Sequence, residues 1–362
     1  MLRPVLTLLL TLAISLPNLV IAAEEYWEYT FRPGDSLWKI AEKYTTSVNN
    51  WGELLKLNSI DEASDRTILP GTRIVIPVSM LKLQPTPALV IAVNGAATLV
   101  RANGEESVLT VGTELFSGDR VVTGDQQSLR MQFADKSELQ VLANSEIVLD
   151  KLSHFKETGM VDTQIRLNSG RVRTWVIKQK PGDRYEIKTP AAITAVRGTT
   201  FRLSSDDSQI SRTEVTEGLV VVSADQAEKD VNSGFGIVAE EGKPLPDPVK
   251  LLAPPEISNN QSADTSKLQV SWTILDGAEF YRYQLATDEK FDQIAIDDRT
   301  DDSEIRLDEL LPGQYYLRVR GVDQFRLEGF ESVKSFVIEE PSNEDFYAWK
   351  IIIPVGMLLL VL

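Results

Sequence analysis

Within residues 26–78, the spacing of apolar residues changes from the alternation of a strand to the spacing of a helix and back again. This pattern constrains the fold more than any other feature. Alternation in Tyr29–Phe31 predicts a strand, and Pro33-Gly34 predicts a turn. Apolar residues at i, i+3, i+4 and i+7 from Leu37 predict a short helix, which Asp35 or Ser36 would cap. The first half therefore predicts a strand, a turn and a helix.

The second half of the same stretch predicts another helix and a returning strand. Asn50, with Glu53 three residues later, has the spacing of a capping box. Trp51 and Leu54 begin a second apolar stripe, and the alternation in Arg73–Ile76 predicts a closing strand. The whole stretch predicts a small α+β module in the order βααβ.

This order, with the Gly-Asp-Ser-Leu turn and the closing Leu-Pro-Gly-Thr segment, resembles the LysM module, here placed at residues 24–80. The resemblance implies binding of N-acetylglucosamine glycans, chiefly peptidoglycan, in a groove between the first turn and the loop after the second helix. Matched by position, that groove comprises Gly34, Asp35, Ser36, Leu37, Asn58, Ser59, Ile60 and Leu69.

Some of these residues have a second interpretation. Leu37, Ile60 and Leu69 are equally compatible with the core of a fifty-residue module. We expect Trp38 and Trp51 to pack in the module rather than stack on a sugar.

Gly34–Leu37 also matches the motif that contains the nucleophilic serine in a lipase and esterase family. A serine nucleophile needs a base, usually a histidine. The chain has one histidine, His154, and its spacing from Asp150 does not match that family. The surrounding residues favour the LysM interpretation.

Composition excludes several function classes. The chain has no cysteine and one histidine, which rules out thiol nucleophiles and thiolate sites and argues against a zinc hydrolase. A net charge of −16 argues against nucleic acid as a partner. We expect no cofactor, no metal and no catalytic residue.

Residues 1–23 have the organisation of a secretory signal. Arg3 precedes an apolar run from Val5 to Leu16, and small residues at Ala22 and Ala23 suit cleavage. The sequence therefore predicts secretion across the inner membrane into the periplasm. The remaining length predicts two or three domains.

Residues 87–246 alternate with a period of two and predict a β-rich domain. Turns are predicted at 134–136 and at 168–170, the second as a hairpin leading into Val172. Residues 111–123 and the Thr-Pro…Val-Arg-Gly-Thr-x-Phe segment at 185–201 resemble the FecR-type periplasmic domain. The resemblance implies a secreted β-domain that binds or scaffolds envelope components. A signal segment and the LysM-like module occupy the front of the chain, which argues against the sigma-factor role of that family.

Within that segment, Arg197 and Gly198 are a candidate contact site. The favoured interpretation is structural, because glycine commonly supplies a turn or a close backbone approach.

A proline-rich linker at 242–255 precedes a third region, 247–340. Its alternating strands and early Trp272 resemble a fibronectin type III sandwich. The acidic stretch 297–302 could bind calcium, but its spacing fits no EF-hand, and a solvated loop is favoured.

The apolar tail at 349–362 would span about 21 Å as a helix, short of the roughly 30 Å hydrocarbon core. Three interpretations compete: a short membrane anchor, a truncated longer membrane span and a core strand of the last domain. The anchor is favoured. Trp349 and Lys350 suit a membrane interface.

The sequence thus predicts a multidomain, mostly β protein: a LysM module, a FecR-type domain and an immunoglobulin-like or fibronectin-like sandwich. The favoured function is a non-enzymatic cell-envelope protein that binds peptidoglycan and scaffolds or signals to another envelope protein. The alternative is a peptidoglycan hydrolase that uses carboxylates.

Overall fold

A computed structural model describes residues 24–61, 68–156, 158–196, 198–225, 227–258, 262–264 and 267–339. The predicted signal segment 1–23, the tail 349–362 and Arg197 lie outside these ranges. The protein is multidomain and mostly β, with 54% strand and 7% helix. The predicted fold class is therefore confirmed.

The first module has two strands and two helices. β1 (Tyr26–Thr30) pairs antiparallel with β2 (Arg73–Pro77), and α1 (Leu37–Tyr44) and α2 (Trp51–Leu57) lie between them in the chain. The four apolar residues predicted for the inner face of α1 are all buried. The hydroxyl of Ser36 accepts from the main-chain nitrogen of Lys39 at 3.2 Å and caps this helix.

The predicted capping box at Asn50 is wrong. A 3₁₀ turn, Val48–Asn50, runs directly into α2, so Asn50 already has helical dihedrals and its side chain makes no capping bond. Ser47 caps the turn instead, accepting from the nitrogen of Asn49 at 3.2 Å. The helical segment starts three residues earlier than the sequence predicts.

The second module contains the strands β3 to β20. Their bounds are β3 Leu83–Pro85, β4 Ala88–Asn94, β5 Thr98–Val100, β6 Glu106–Val108, β7 Glu114–Leu115, β8 Arg120–Thr123, β9 Ser128–Gln132, β10 Glu138–Val141, β11 Ser145–Phe155, β12 Val161–Trp175, β13 Arg184–Lys188, β14 Ile193–Val196, β15 Thr200–Ser205, β16 Ile210–Glu217, β17 Leu219–Ala224, β18 Ala227–Asn232, β19 Phe235–Glu240 and β20 Val249–Lys250.

β3 pairs with the end of β11, and the other strands form two sheets. One sheet has the order β6-β5-β8-β11-β12-β13-β14-β17-β18. The other has the order β7-β4-β9-β10-β12-β15-β16-β19-β20. Apolar side chains from both sheets, such as Ile165 in the first and Phe201 in the second, form one buried cluster.

β12 belongs to both sheets, which corrects the predicted hairpin turn at 168–170. Residues before Gly170 pair with β11 and those from Gly170 onward pair with β15. Gly170 has φ +94, and a Cβ there would lie 2.4 Å from the Cα of Ser145. The glycine therefore lets one continuous strand bend from one sheet into the other.

The predicted linker packs against the second module. Leu245 is buried in its core cluster, and β20 pairs with β19. The main-chain nitrogen of Leu251 also donates to the carbonyl of Gly234 at 2.9 Å. The chain therefore stays attached to the β-domain through this segment.

The third module is a β-sandwich. Its strands are β21 Ser262–Asp264, β22 Lys267–Ser271, β23 Ala278–Ala286, β24 Ile294–Thr300, β25 Glu304–Leu307, β26 Gly313–Asp323 and β27 Glu328–Ile338. One sheet has the order β21-β22-β25 and the other β24-β23-β26-β27. Trp272 is buried in the core and meets Tyr281 edge-on, with ring centroids 5.5 Å apart.

The first two modules share apolar packing. Phe155 and Met160, near the tip of the β11–β12 hairpin, lie in the same buried cluster as the core of the first module. The nitrogen of Lys156 donates to the carbonyl of Lys82 at 3.1 Å, and the nitrogen of Lys82 donates to Tyr44 at 2.8 Å. The hairpin thus completes the core of the neighbouring module.

The sandwich contacts the second module through an ion-pair network, here called the arginine junction. Its side chains come from β12, β15 and β16 on one side and from β23, β24, β26 and β27 on the other. The arginines are Arg171, Arg173, Arg202, Arg282, Arg318 and Arg320, and the acids are Glu214, Asp297, Glu328 and Glu331.

Short contacts hold this junction together. Nη1 of Arg173 lies 2.7 Å from Oε1 of Glu331, and Nη2 of Arg171 lies 2.8 Å from Oδ2 of Asp297. Although burial opposes ionisation, the surrounding arginines, Arg318 foremost, lower the pKa of Glu331 to about 2. Glu331 is therefore ionised within the network.

The junction corrects part of the interpretation of residues 297–302 as a solvated loop, because residues 297–300 lie on β24, whereas Asp301 and Asp302 are exposed as expected. Asp297 lies on β24, and its side chain is only 3% exposed because it contacts Arg171 and Arg282. Within the described ranges, no group of three or more acidic or histidine side chains is arranged to hold a metal ion.

Candidate functional site

The first wall of the predicted groove is the turn before α1. The nitrogen of Asp35 donates to the carbonyl of Arg32 at 3.1 Å. Oδ2 of Asp35 accepts from the nitrogen of Arg32 at 2.7 Å and from the hydroxyl of Tyr29 at 2.6 Å. Burial and the bond to Asp35 raise the pKa of Tyr29 above its ordinary value, so the phenol stays a donor. Asp35 therefore shapes the turn.

The next two predicted residues also have structural roles. Ser36 caps α1, and the side chain of Leu37 is fully buried in the core of the first module. Nζ of Lys39 donates to the carbonyl of Gly34 at 2.8 Å. The part of this wall that faces solvent is chiefly backbone at Gly34, which is exposed.

The second wall follows α2. The side-chain amide of Asn58 donates to the carbonyls of Leu54 and Val75 at 2.8 and 2.9 Å, and its Oδ1 accepts from the nitrogen of Val75 at 2.7 Å. Asn58 therefore ties the end of α2 to β2. Ser59 is exposed, and Ile60 is half-buried against the module's core.

Leu69 lies on the closing loop, and its side chain is 73% exposed. This loop is bonded to Phe31, which precedes the first turn. The nitrogen of Phe31 donates to Thr72 at 2.9 Å, and the nitrogen of Gly71 donates to Phe31 at 2.8 Å. The loop with the exposed side chain of Leu69 is thus joined to the residue that precedes the first wall. Residues 62–67, between Ile60 and Leu69, lie outside the described ranges.

The alternative core interpretation is therefore correct for Leu37 and wrong for Leu69. Trp51 is half-buried and packs on the core as expected. Trp38 does not pack there, because it lies on the outer side of α1 and is 47% exposed. The helical spacing could have revealed this, since Trp38 falls outside the apolar stripe that contains Leu37 and Ile40.

Two other candidate sites were the esterase-like motif and the segment of Arg197 and Gly198, and their described residues have structural roles. Oγ of Ser36 accepts a capping bond, whereas His154 lies on β11 of the second module. Gly198 has φ +76, and a Cβ there would lie 2.9 Å from the Cα of Lys178. Glycine at this position thus permits a close backbone approach.

None of the helices in the described ranges combines the length and apolarity that a membrane span requires.

Comparison with known families agrees with the first two modules. Residues 29–77 match the LysM domain, and residues 119–221 match the FecR protein family. No curated protein matches the chain.

Two solved structures illustrate the structural similarity. One, described as an anti-sigma factor from Parabacteroides distasonis, is 12% identical with a TM-score of 0.31, and the match covers 36% of this chain and 59% of that one. Another, FN3tt, is 17% identical with a TM-score of 0.21, and the match covers 25% of this chain and 99% of that one. At these TM-scores the similarity supports no inference about fold or function. From the family matches, the chain carries a LysM domain followed by a FecR domain.

Proposed function

We propose that this chain is a non-enzymatic cell-envelope protein that binds peptidoglycan through its first module. In this proposal the FecR domain and the sandwich scaffold or signal to another envelope protein. LysM and FecR are non-catalytic families, typical of the periplasm or cell envelope, and LysM domains bind peptidoglycan-type glycans. The observation that carries the proposal is the exposed side chain of Leu69 on a loop that is bonded to Phe31, before the first turn.

The proposed groove is chemically suited to an acetylated amino sugar. Backbone groups near Gly34 and the hydroxyl of Ser59 can bond acetamido groups, while Leu69 offers an apolar surface to the sugar face. Asn58 and Asp35 hold the two walls in place through their internal bonds. Trp38 supplies a further exposed aromatic surface on the same module.

A carboxylate hydrolase receives no comparable support. One pair of glutamates from different modules, Glu214 and Glu328, lies inside the arginine junction, and their side chains are 3% and 12% exposed. A glycan strand cannot approach carboxylates covered in this way.

The proposal also includes location and domain limits. We place the body of the chain in the periplasm, with the apolar tail 349–362 as the anchor. The pairing of β3 with β11 and of β20 with β19 supports limits of 83–251 for the second domain, slightly wider than the sequence indicates.

The test is a pull-down with purified peptidoglycan sacculi. Deleting residues 26–78 would expose Phe155 and Met160, so a point substitution is preferable. We expect Leu69→Asp to lower binding about 10-fold or more, because a leucine contact is replaced by a charge. The matched control is Leu311→Asp in the sandwich, since Leu311 is 74% exposed and Leu69 is 73% exposed.

Sacculi should retain the unmodified chain and the Leu311 variant equally. Failure of the unmodified chain to bind, or equal binding by all three proteins, would refute the proposed groove. Zymography on the same sacculi tests the enzymatic alternative, for which a lytic band would be required.

A further inference from the structure

A cleft of about 630 Å³ lies between the first and second modules, outside the proposed groove. Leu81 and Phe155 contribute buried apolar side chains to its lining. Its size falls in the range of about 300–1,000 Å³ that is usual for sites of small organic ligands. Such sites commonly form at domain interfaces, and this cleft uses residues of both modules.

The two sides of the cleft carry opposite charges. Glu24 and Glu25 are exposed on the side of the first module, while Lys151 and Arg184 lie on the strands of the second. Lys151 pairs with the buried carboxylate of Asp162. An ammonium group has three donors, so this pair still leaves Lys151 able to donate to a ligand. The cleft is therefore suited to a ligand that carries both an amino group and carboxylates.

The cleft and the proposed groove lie at opposite ends of the β1–β2 ribbon. The groove follows Thr30, at one end of β1, whereas Glu25 precedes Tyr26 at the other. Five residues of strand separate them by about 17 Å. A peptide of about four or five residues spans roughly 14–17 Å when extended. A short peptide attached to a sugar near the groove could therefore reach the cleft.

We propose that this cleft binds the peptide stem of peptidoglycan while the groove holds the glycan. The stem is a short peptide with free carboxylates and an amino group, which matches the two charged sides. This inference rests on the proposed glycan-binding function. It assigns to the junction of the two modules a second contact with the same polymer.

The experiment compares two ligands on the purified full-length chain by isothermal titration calorimetry. One is a soluble peptidoglycan fragment of defined sugar length with intact stems. The other is the same fragment after an amidase has removed the stems. We expect the intact fragment to bind at least about 10-fold more tightly, since it adds charge-assisted contacts. This advantage should shrink as salt is raised.

The variant is Arg184→Ala, and the control is Arg166→Ala. Their side chains are 46% and 50% exposed and both lie on strands of the same sheet, but Arg166 does not line the cleft. Lys151 is unsuitable because its removal would leave Asp162 buried without its cation. The Arg184 variant should bind both fragments equally, whereas the Arg166 variant should keep the preference for stems.

Three other outcomes would contradict the cleft proposal. Equal binding of both fragments by the unmodified chain would overturn the cleft proposal and leave glycan binding intact. A stem preference that persists in the Arg184 variant would also overturn it. If neither fragment binds, glycan binding itself fails, and the cleft proposal fails with it.

Discussion

The main-chain nitrogen of Glu328 donates to Oε1 of Glu214 across the arginine junction at 3.2 Å. Two acidic residues from different modules therefore lie next to each other. Both approach the same guanidinium, because Nε of Arg202 lies 3.7 Å from Glu214 and 3.8 Å from Glu328. Their environments differ, since Arg320 also pairs with Glu328.

The first prediction concerns Glu328, which contacts four arginines of the junction. Glu328→Gln removes one of the buried carboxylate charges that balance the guanidinium groups of the junction. We expect the free energy of unfolding to fall by about 3–5 kcal/mol. Urea denaturation of the full chain measures this change.

The control for that prediction is Glu304→Gln, because Glu304 is 47% exposed and lies 3.8 Å from Arg306. It should cost less than about 1 kcal/mol. Equal losses in the two variants would show that the junction contributes no more to stability than an ordinary surface pair.

The second prediction concerns pH. Burial raises the pKa of Glu214 from 4.5 to about 7, with partial opposition from Arg202 on β15 and Arg320 on β26 and reinforcement by Glu328 on β27. Between these values the folded protein holds a proton that the unfolded chain releases. The stabilisation is therefore complete below pH 4.5 and is lost as the pH rises through about 7.

Within this window, the titration of Glu214 should lower the free energy of unfolding by up to about 1.4 kcal/mol for each unit by which the pH rises. Glu331 acts in the opposite sense, since its pKa of about 2 means that its stabilisation is lost as the pH falls toward that value. Unfolding curves at successive pH values test both. Glu214→Gln should remove the decline between pH 4.5 and about 7, and an unchanged profile would contradict the assignment.

The third prediction separates two leucines of the proposed groove. Leu37→Ala should cost about 2–5 kcal/mol of stability, because the side chain is fully buried. Leu69→Ala should change stability by less than about 0.5 kcal/mol, since Leu69 is 73% exposed. Thermal unfolding of both variants measures the difference. A stable Leu37 variant with impaired glycan binding would instead make Leu37 a direct contact.

The fourth prediction concerns the bend in β12. Gly170→Ala places a Cβ 2.4 Å from the backbone of Ser145 at a φ of +94, so strain and a clash should together cost about 2–5 kcal/mol. Gly104→Ala is the control, since Gly104 has φ +86 with nothing within 4 Å of its Cβ position. It should cost only the strain, about 1–2 kcal/mol. Denaturant unfolding measures both.

Several elements were predictable because local chemistry determines them. The spacing of Leu37, Ile40 and Tyr44 defines the buried face of α1, and the hydroxyl of Ser36 caps it. Period-two alternation likewise predicts strands such as β9, where Leu129 and Met131 face the core. The family resemblances rest on motifs of the same local kind.

Other features depend on partners that are distant in the chain. The turn prediction at 168–170 failed because glycine permits both a hairpin and a bend within one strand. Asp297 was expected to be solvated, yet its arginine partner Arg171 lies 126 residues away. Because charged residues on strands usually face water, the sequence gives no local sign that the sandwich covers them. The exposed side chain of Leu69 depends in the same way on how its loop folds back on Phe31.

The hairpin tip formed by Phe155 and Met160 limits how this protein can be rearranged. Small modules that carry their own fold are attractive units for exchange between proteins. Here two side chains from the next domain complete the core of the first module. A module transplanted into this protein would need a pocket for Phe155 and Met160. The first module of this chain, moved to another protein, would have part of its core exposed to water. The boundary between the two domains in sequence is therefore a poor place to cut when building chimaeras.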